Sequence, residues 1–276
     1  LWCLTALHSQ PKKYFWNADV IQLSKNQNRY LTKIFGTKDG LPASEITCLS
    51  QCSKGFLWVG TAAGLSRFDG IVFKNFLKAG KIFTGKIYSI KEDTLRGVLW
   101  IASDAGLCYY KNDKLFIVST REKDVSVYDI YLDKESNIWA ATGQGPALFN
   151  SKMDSSIFSD SVITLNSFIL PEWLKYKKEF DHVYKITASE TGNFYFSGNE
   201  SLYKYANQKL QRIWNSSHSA NHNDKVVGLV SGKGDSIYFA TTFGGLFRII
   251  KNEIIKISRD SSVAADLIMH KGRYYY

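Results

Sequence analysis

Five histidines are the first residues to weigh for chemistry: His8, His182, His218, His222 and His270. His218 and His222 share one polar stretch, Ser216-Ser217-His218-Ser219-Ala220-Asn221-His222-Asn223-Asp224, which ends in a carboxylate. Histidines and an aspartate at that spacing can converge in a loop on a metal ion. They could also do general acid–base work if Asp129 met them at one place, as in a lyase or hydrolase. A Ser/Asn/His run of this kind is more often a solvated connection, so no metal site and no cofactor is assigned. No nucleophile elbow, phosphate-cradling loop or His-Glu-x-x-His pattern occurs. Beyond Cys3, the cysteines Cys48, Cys52 and Cys108 are irregularly spaced and fit neither a zinc set nor a disulfide framework. They read as small buried apolar side chains. No catalytic residue is expected, which leaves recognition as the chemistry to look for.

Bulk composition narrows the partners. The chain has 276 residues, 45% hydrophobic and 22% charged, an ordinary globular balance that excludes a disordered chain. Its net charge of +10 is spread through the sequence; the basic runs are short, such as Lys175, Lys177 and Lys178, and no basic helix appears. Nucleic acid is therefore not an expected partner. No run approaches the ~20 apolar residues that span a bilayer. Residues 1–10 (LWCLTALHSQ) read as the tail of a secretory signal peptide, and residues 11–28 as a lead-in to the folded part.

The elements that must position any site come from a repeat. An aromatic residue recurs at Trp58, Trp100, Trp139, Tyr195 and Tyr238, in steps of 42, 39, 56 and 43 residues. The period suits a propeller blade, with one copy carrying about fifteen extra residues. Copies fall at 46–76, 87–118, 127–170, 183–214 and 226–257, and a sixth begins at 266. Each holds four β-like runs divided by turn signals: Lys54-Gly55, Thr61-Ala62-Ala63-Gly64, then Asp69-Gly70 in the first copy. Runs such as Phe56-Leu57-Trp58-Val59 are apolar on both faces, which suits sheets stacked face to face. The fold class is all-β: a β-propeller of four-stranded antiparallel blades occupying 29–276. Seven blades are expected when the ring is complete, with Arg29–Phe35 read as a strand that closes the last one.

Gly55–Leu65 (GFLWVGTAAGL) and the preceding Asp39-Gly40-Leu41-Pro42-Ala43-Ser44 resemble the two-component regulator propeller repeat. The likeness covers about 29–276 and is weakest in the fourth copy, where Phe194-Tyr195-Phe196 replaces the tryptophan motif. The resemblance implies the extracytoplasmic sensor part of a bacterial hybrid histidine kinase. That implies a periplasmic location, a membrane-anchored full-length protein with β-sandwich and kinase domains downstream, and a homodimeric state. It also implies a small-molecule or oligosaccharide ligand. A structural interaction propeller is the remaining alternative.

In such a blade, the loop between the second and third strands shares a face with the connection to the next blade. Asp104, Gln144 and Asn199 stand in those loops and are candidate ligand contacts. Trp173 and Tyr176, in the long stretch 150–182, could stack on a flat ligand. On the innermost strands, Cys48, Ser89, Asp129, Lys185 and Gly228 take equivalent positions, and Asp129 and Lys185 are candidate channel contacts.

Overall fold

A computed structural model describes residues 33–76, 85–119, 125–135, 137–149, 163–164, 182–198, 200–207, 209–218, 224–258, 267–270 and 273–275. The first copy folds as β1 (Ile46–Gln51), β2 (Leu57–Thr61), β3 (Gly64–Phe68) and β4 (Phe73–Asn75), antiparallel and in chain order. The second is β5 (Ile87–Asp93), β6 (Val98–Ser103), β7 (Gly106–Lys111) and β8 (Lys114–Ser119). The third has β9 (Val127–Leu132), β10 (Ile138–Thr142) and β11 (Gly145–Phe149). After β11, the two-residue β12 (Ile163–Thr164) pairs in parallel with β8, Ile163 opposite Val118. The long stretch that follows the third copy thus adds a strand to the outer edge of the second blade.

The fourth blade is β13 (Lys185–Ala188), β14 (Phe194–Ser197), β15 (Ser201–Ala206) and β16 (Lys209–Asn215). The fifth is β17 (Val226–Ser231), β18 (Ile237–Thr241), β19 (Gly245–Ile250) and β20 (Glu253–Lys256), and a hairpin of β21 (Ile268–His270) and β22 (Arg273–Tyr275) opens a sixth. The first strands of successive blades lie side by side. This is the expected β-propeller arrangement. Of the segment Arg29–Phe35, only 33–35 are described; they form no strand. Phe35 instead packs edge-on against Phe68 and Phe73 of the first blade's outer hairpin.

A single four-stranded sheet cannot bury two apolar faces, so the core lies between blades. Trp58, Leu65 and Phe76 meet Ile87, Ile90 and Ile101 of the next blade. Trp100 and Leu107 meet Val127, Ile130 and Ile138 in the same way, and Trp139 meets Val183, Ile186 and Phe196. Tyr195, Leu202 and Trp214 then meet Leu229, Ile237 and Phe239. Burying one such side chain contributes about 2 kcal/mol, repeated at every seam. The aromatic column is therefore architecture.

Two local devices recur with the repeat. Thr61, Ser103 and Thr142 each donate a hydroxyl hydrogen bond to the carbonyl three residues on, at 2.8, 3.0 and 2.6 Å. The residue that ends each of these turns has φ of +128°, +101° or +111°, which is why Gly64, Gly106 and Gly145 stand there. At the other end, the indole N–H of Trp100 donates to Asp93 (3.2 Å) and that of Trp139 to Asp133 (2.9 Å). In the first blade Cys52 holds the aspartate's place, and the buried Trp58 indole N–H has no hydrogen-bond partner.

Candidate binding funnel

Chain direction puts the start of each innermost strand on the same face as the loop between the second and third strands: Ile46 pairs with Thr61, and Ile87 with Ser103. At that end the ladder is irregular. The register passes from Ile46 to Cys48, from Ile87 to Ser89, from Val127 to Asp129 and from Val226 to Gly228, each skipping one residue. The skipped residues are Thr47, Tyr88, Tyr128 and Val227. A bulge of this kind bends the strand and re-aims a side chain. Ile87 and Val127 stay buried in the seams while Tyr88 and Tyr128, the residues after them, are only half-buried.

The re-aimed residues wall a funnel of about 740 Å³, within the range of small-molecule sites. Tyr88, Tyr128 and Tyr184 come from three successive blades and form a stair, with ring centroids 5.1 Å apart at both steps. His182 stacks on Tyr184 at 6.0 Å. The first blade supplies Glu45 through Leu49, and the fifth closes the wall with Val226 and Val227. Lys86, Lys185 and Lys225 also line it. The Lys86 ammonium pairs with Glu45 at 2.7 Å.

The Tyr88 hydroxyl donates to Asp104 at 2.7 Å. Burial first, and that hydrogen bond second, hold the phenol well above its ordinary pKa, so it remains a neutral donor. Burial likewise raises Tyr184. On the funnel wall, burial pushes the Cys48 thiol up to about 12, against the opposing field of Lys185. Cys48 is thus protonated and inert at neutral pH. Cys108, buried in the seam between the first two blades, is also pushed up to about 12.

The candidate contacts divide. Lys185 lines the funnel. Asp104 lies at its rim, where its carboxylate accepts from Tyr88 and from the Lys86 backbone N–H (3.0 Å), so it braces the wall. Gln144 is exposed in its turn, its backbone N–H donated to Thr142. Asp129 does not point to solvent. It is 8% exposed and accepts from the backbone N–H of Ile130 (2.9 Å) and of Ile186 (3.2 Å), tying the third blade to the fourth. Trp173, Tyr176 and Asn199 lie outside the described residues, as does His222. Asp224 is fully buried and accepts from the Thr241 hydroxyl and the Phe243 N–H, both at 2.8 Å. Its carboxylate caps the fifth blade's turn. Among the described residues no three His, Cys, Asp or Glu side chains gather as a metal set.

The tyrosines were not among the candidates read from sequence. Their signal is Ile87-Tyr88-Ser89-Ile90, Val127-Tyr128-Asp129-Ile130 and Val183-Tyr184-Lys185-Ile186, the same pattern in three consecutive copies.

No family model matches the chain, and no curated protein does. Solved structures do share its fold. The extracellular domain of a putative hybrid two-component system from B. thetaiotaomicron superposes with a TM-score of 0.63 at 16% identity, over 91% of this chain and 34% of that one. Virginiamycin B lyase from Staphylococcus aureus, with quinupristin, gives 0.61 at 15% identity, over 87% and 78%. PorZ, a surface component of the type-IX secretion system of Porphyromonas gingivalis, gives 0.55 at 13%, over 81% and 35%. The protein is a β-propeller, and the chain spans about a third of the two-component domain it resembles. No helix among the described residues is long and apolar enough to cross a membrane.

Proposed function

We propose that this propeller is the ligand-sensing part of a membrane-anchored hybrid histidine kinase, facing the periplasm, with its site in the tyrosine-walled funnel. The observation that carries the reading is the stair of Tyr88, Tyr128 and Tyr184, three half-buried rings lining one cavity, the first two re-aimed by a bulge in their strands and the third standing just before β13. Recognition side chains on rigid strands suit a sensor, because occupancy can be read as a change in how blades pack. The shared fold of the two-component domain and the resemblance of Gly55–Leu65 to its repeat support the assignment. A ligand bridging the second to fifth blades would bias the propeller against a β-sandwich domain downstream, and a homodimer would carry that bias to the kinase.

The lyase or hydrolase alternative would be favoured by Asp129 gathered with His218 and His222 at the channel mouth. Asp129 is committed to the seam between blades instead, so it lends that alternative no support. The test is phosphoryl transfer by the full-length protein in membranes, with and without an extract of its growth substrates. Tyr128→Ala should shift the response to about tenfold more extract while leaving basal phosphorylation intact. A full-length gene product without a kinase domain, or a response indifferent to Tyr128→Ala, would sink the reading.

A further inference from the structure

We infer that the funnel takes a carboxylate of its ligand at Gly143, gripped by the Tyr128 hydroxyl and the Ser126 backbone N–H; this rests on the funnel being the sensing site. The second blade supplies the pattern. There the Tyr88 hydroxyl donates to one oxygen of Asp104 at 2.7 Å, and the Lys86 backbone N–H to the other at 3.0 Å. The Asp104 N–H in turn donates to the Lys86 carbonyl at 3.1 Å.

The third blade repeats this frame without the acid. The Gly143 N–H donates to the Ser126 carbonyl at 3.2 Å, so Gly143 stands where Asp104 does and Ser126 where Lys86 does. The bulge that re-aims Tyr88 recurs at Tyr128. A Cβ placed on Gly143 would lie 3.7 Å from the Tyr128 hydroxyl oxygen. Neither that hydroxyl nor the Ser126 N–H has a hydrogen-bond partner among the described residues. Two donors that hold a carboxylate in one blade therefore lack an acceptor in the next.

The backbone does not demand a glycine here. The φ of Gly143 is outside the left-handed region. A side chain would make only ordinary contacts, with His182 Cδ2 at 3.6 Å and Nε2 at 3.9 Å besides the tyrosine. What the glycine does is leave room for an acid between the Tyr128 hydroxyl and the His182 ring. The other blades lack that arrangement. In the first, the Thr47 hydroxyl donates to the Ile87 carbonyl, and in the fifth Val227 brings no hydroxyl. In the fourth, a Cβ on Gly198 would meet the Tyr203 ring and two carbonyl oxygens, which repel a carboxylate.

A carboxylate suits the pair because hydrogen bonds to a charged acceptor are roughly twice as strong as neutral ones. Held there, it brings whatever ring it belongs to onto the stair, since Tyr128 lies 5.1 Å from both Tyr88 and Tyr184. Two sources offer this chemistry, an acidic sugar and an aromatic acid.

Calorimetric titration of the protein distinguishes them, with each acid set beside a neutral counterpart: benzoate with benzyl alcohol, glucuronate with glucose. At least one acid should bind about tenfold more tightly than its counterpart, and that acid names the source. Tyr128→Phe removes one oxygen and keeps the ring. It should weaken the acid about tenfold and the counterpart less than about twofold. Gly143→Asp supplies the carboxylate from the chain itself and should abolish binding of the acid. Gln144→Asp adds the same charge to the exposed turn beside it and should change affinity less than about twofold. Should Gly143→Asp fail to fold, Tyr128→Phe decides alone. Equal binding of acid and counterpart, no binding of either acid at millimolar concentration, or affinity unmoved by Tyr128→Phe would each overturn the inference. So would a loss with Gln144→Asp equal to that with Gly143→Asp, which would reduce the effect to charge. A kinase response that still depends on Tyr128 alongside any of those results would discard the carboxylate and keep the sensor. Loss of that dependence would discard both.

Discussion

The two ends of the innermost strands obey opposite rules. At the far end, Asp93 and Asp133 close turns and take the indole N–H of the next strand's tryptophan. At the near end, a bulge breaks the ladder in four blades and re-aims Thr47, Tyr88, Tyr128 and Val227. The far end holds a turn and the tryptophan of the next strand together. The near end leaves Tyr88 and Tyr128 half-buried and lining the funnel, with Tyr88 also packed against the seam.

The largest effect that would sharpen this contrast is at the far end. Asp93 is 3% exposed and accepts from the Arg96 guanidinium (2.5 Å), the Arg96 backbone N–H and Trp100. Asp93→Ala takes the carboxylate away from a guanidinium whose side chain is 11% exposed and from an indole N–H, so chemical denaturation should show a loss of about 3 kcal/mol. A loss well below 1 kcal/mol on the order-of-magnitude scale for a buried pair would mean the clamp is ornamental.

Tyr128→Ala tests the near end. Ligand affinity should drop by about tenfold. Its melting temperature should move far less than that of Asp93→Ala, since the ring borders solvent. A collapse of stability instead would make the stair a structural feature.

The first blade offers the converse experiment. Cys52 stands where the second and third blades have aspartate, beneath an indole N–H without a partner. Cys52→Asp supplies the acceptor and should raise stability by about 1 kcal/mol, measured by the same denaturation. If it destabilises, the aspartate's value in the other blades depends on their turn N–H groups more than on tryptophan.

The smallest effect lies at the outer edge. Asp69 accepts from the backbone N–H groups of Val72 and Ile71, each at 2.8 Å, and these hold its carboxyl below the ordinary range. A depressed folded pKa stabilises the fold above the unfolded value, near 3.9, and the contribution disappears as pH falls through the folded one. The stability difference between the protein and Asp69→Ala should be steady at neutral pH and shrink below about pH 4. A difference that persists unchanged in acid would assign it to the turn's shape alone.

Much of this molecule was legible in its sequence. The spacing of Trp58, Trp100, Trp139, Tyr195 and Tyr238 marked blades, and Asp69-Gly70 and Lys111-Asn112-Asp113 marked turns that the backbone confirms with positive φ at Gly70, Asn112 and Asp113. That the second-to-third loops share a face with the starts of the innermost strands was legible from strand order. Of the inner-strand residues, Cys48 and Lys185 line the funnel, and Ser89 and Asp129 do not. Taking small or polar residues at equivalent inner-strand positions gave Ser89 and Asp129 as channel residues; both are buried, while Tyr88 and Tyr128 line the funnel. The bulge moves the side chains by one position, and a period-2 count cannot register it. The stretch after the third blade shows the same limit, since nothing in Ile163–Thr164 announces a parallel partner in the blade before.

By itself the sequence determined the repeat, the turns and the apolar faces, because these depend on neighbours a few residues apart. Only the tertiary structure decided what the acids and aromatics do. Asp129 became a tie between blades, Asp224 a cap, and three tyrosines from successive copies became one wall, because each role is set by a partner distant in sequence, 17 residues away for Asp224 and 57 for Asp129.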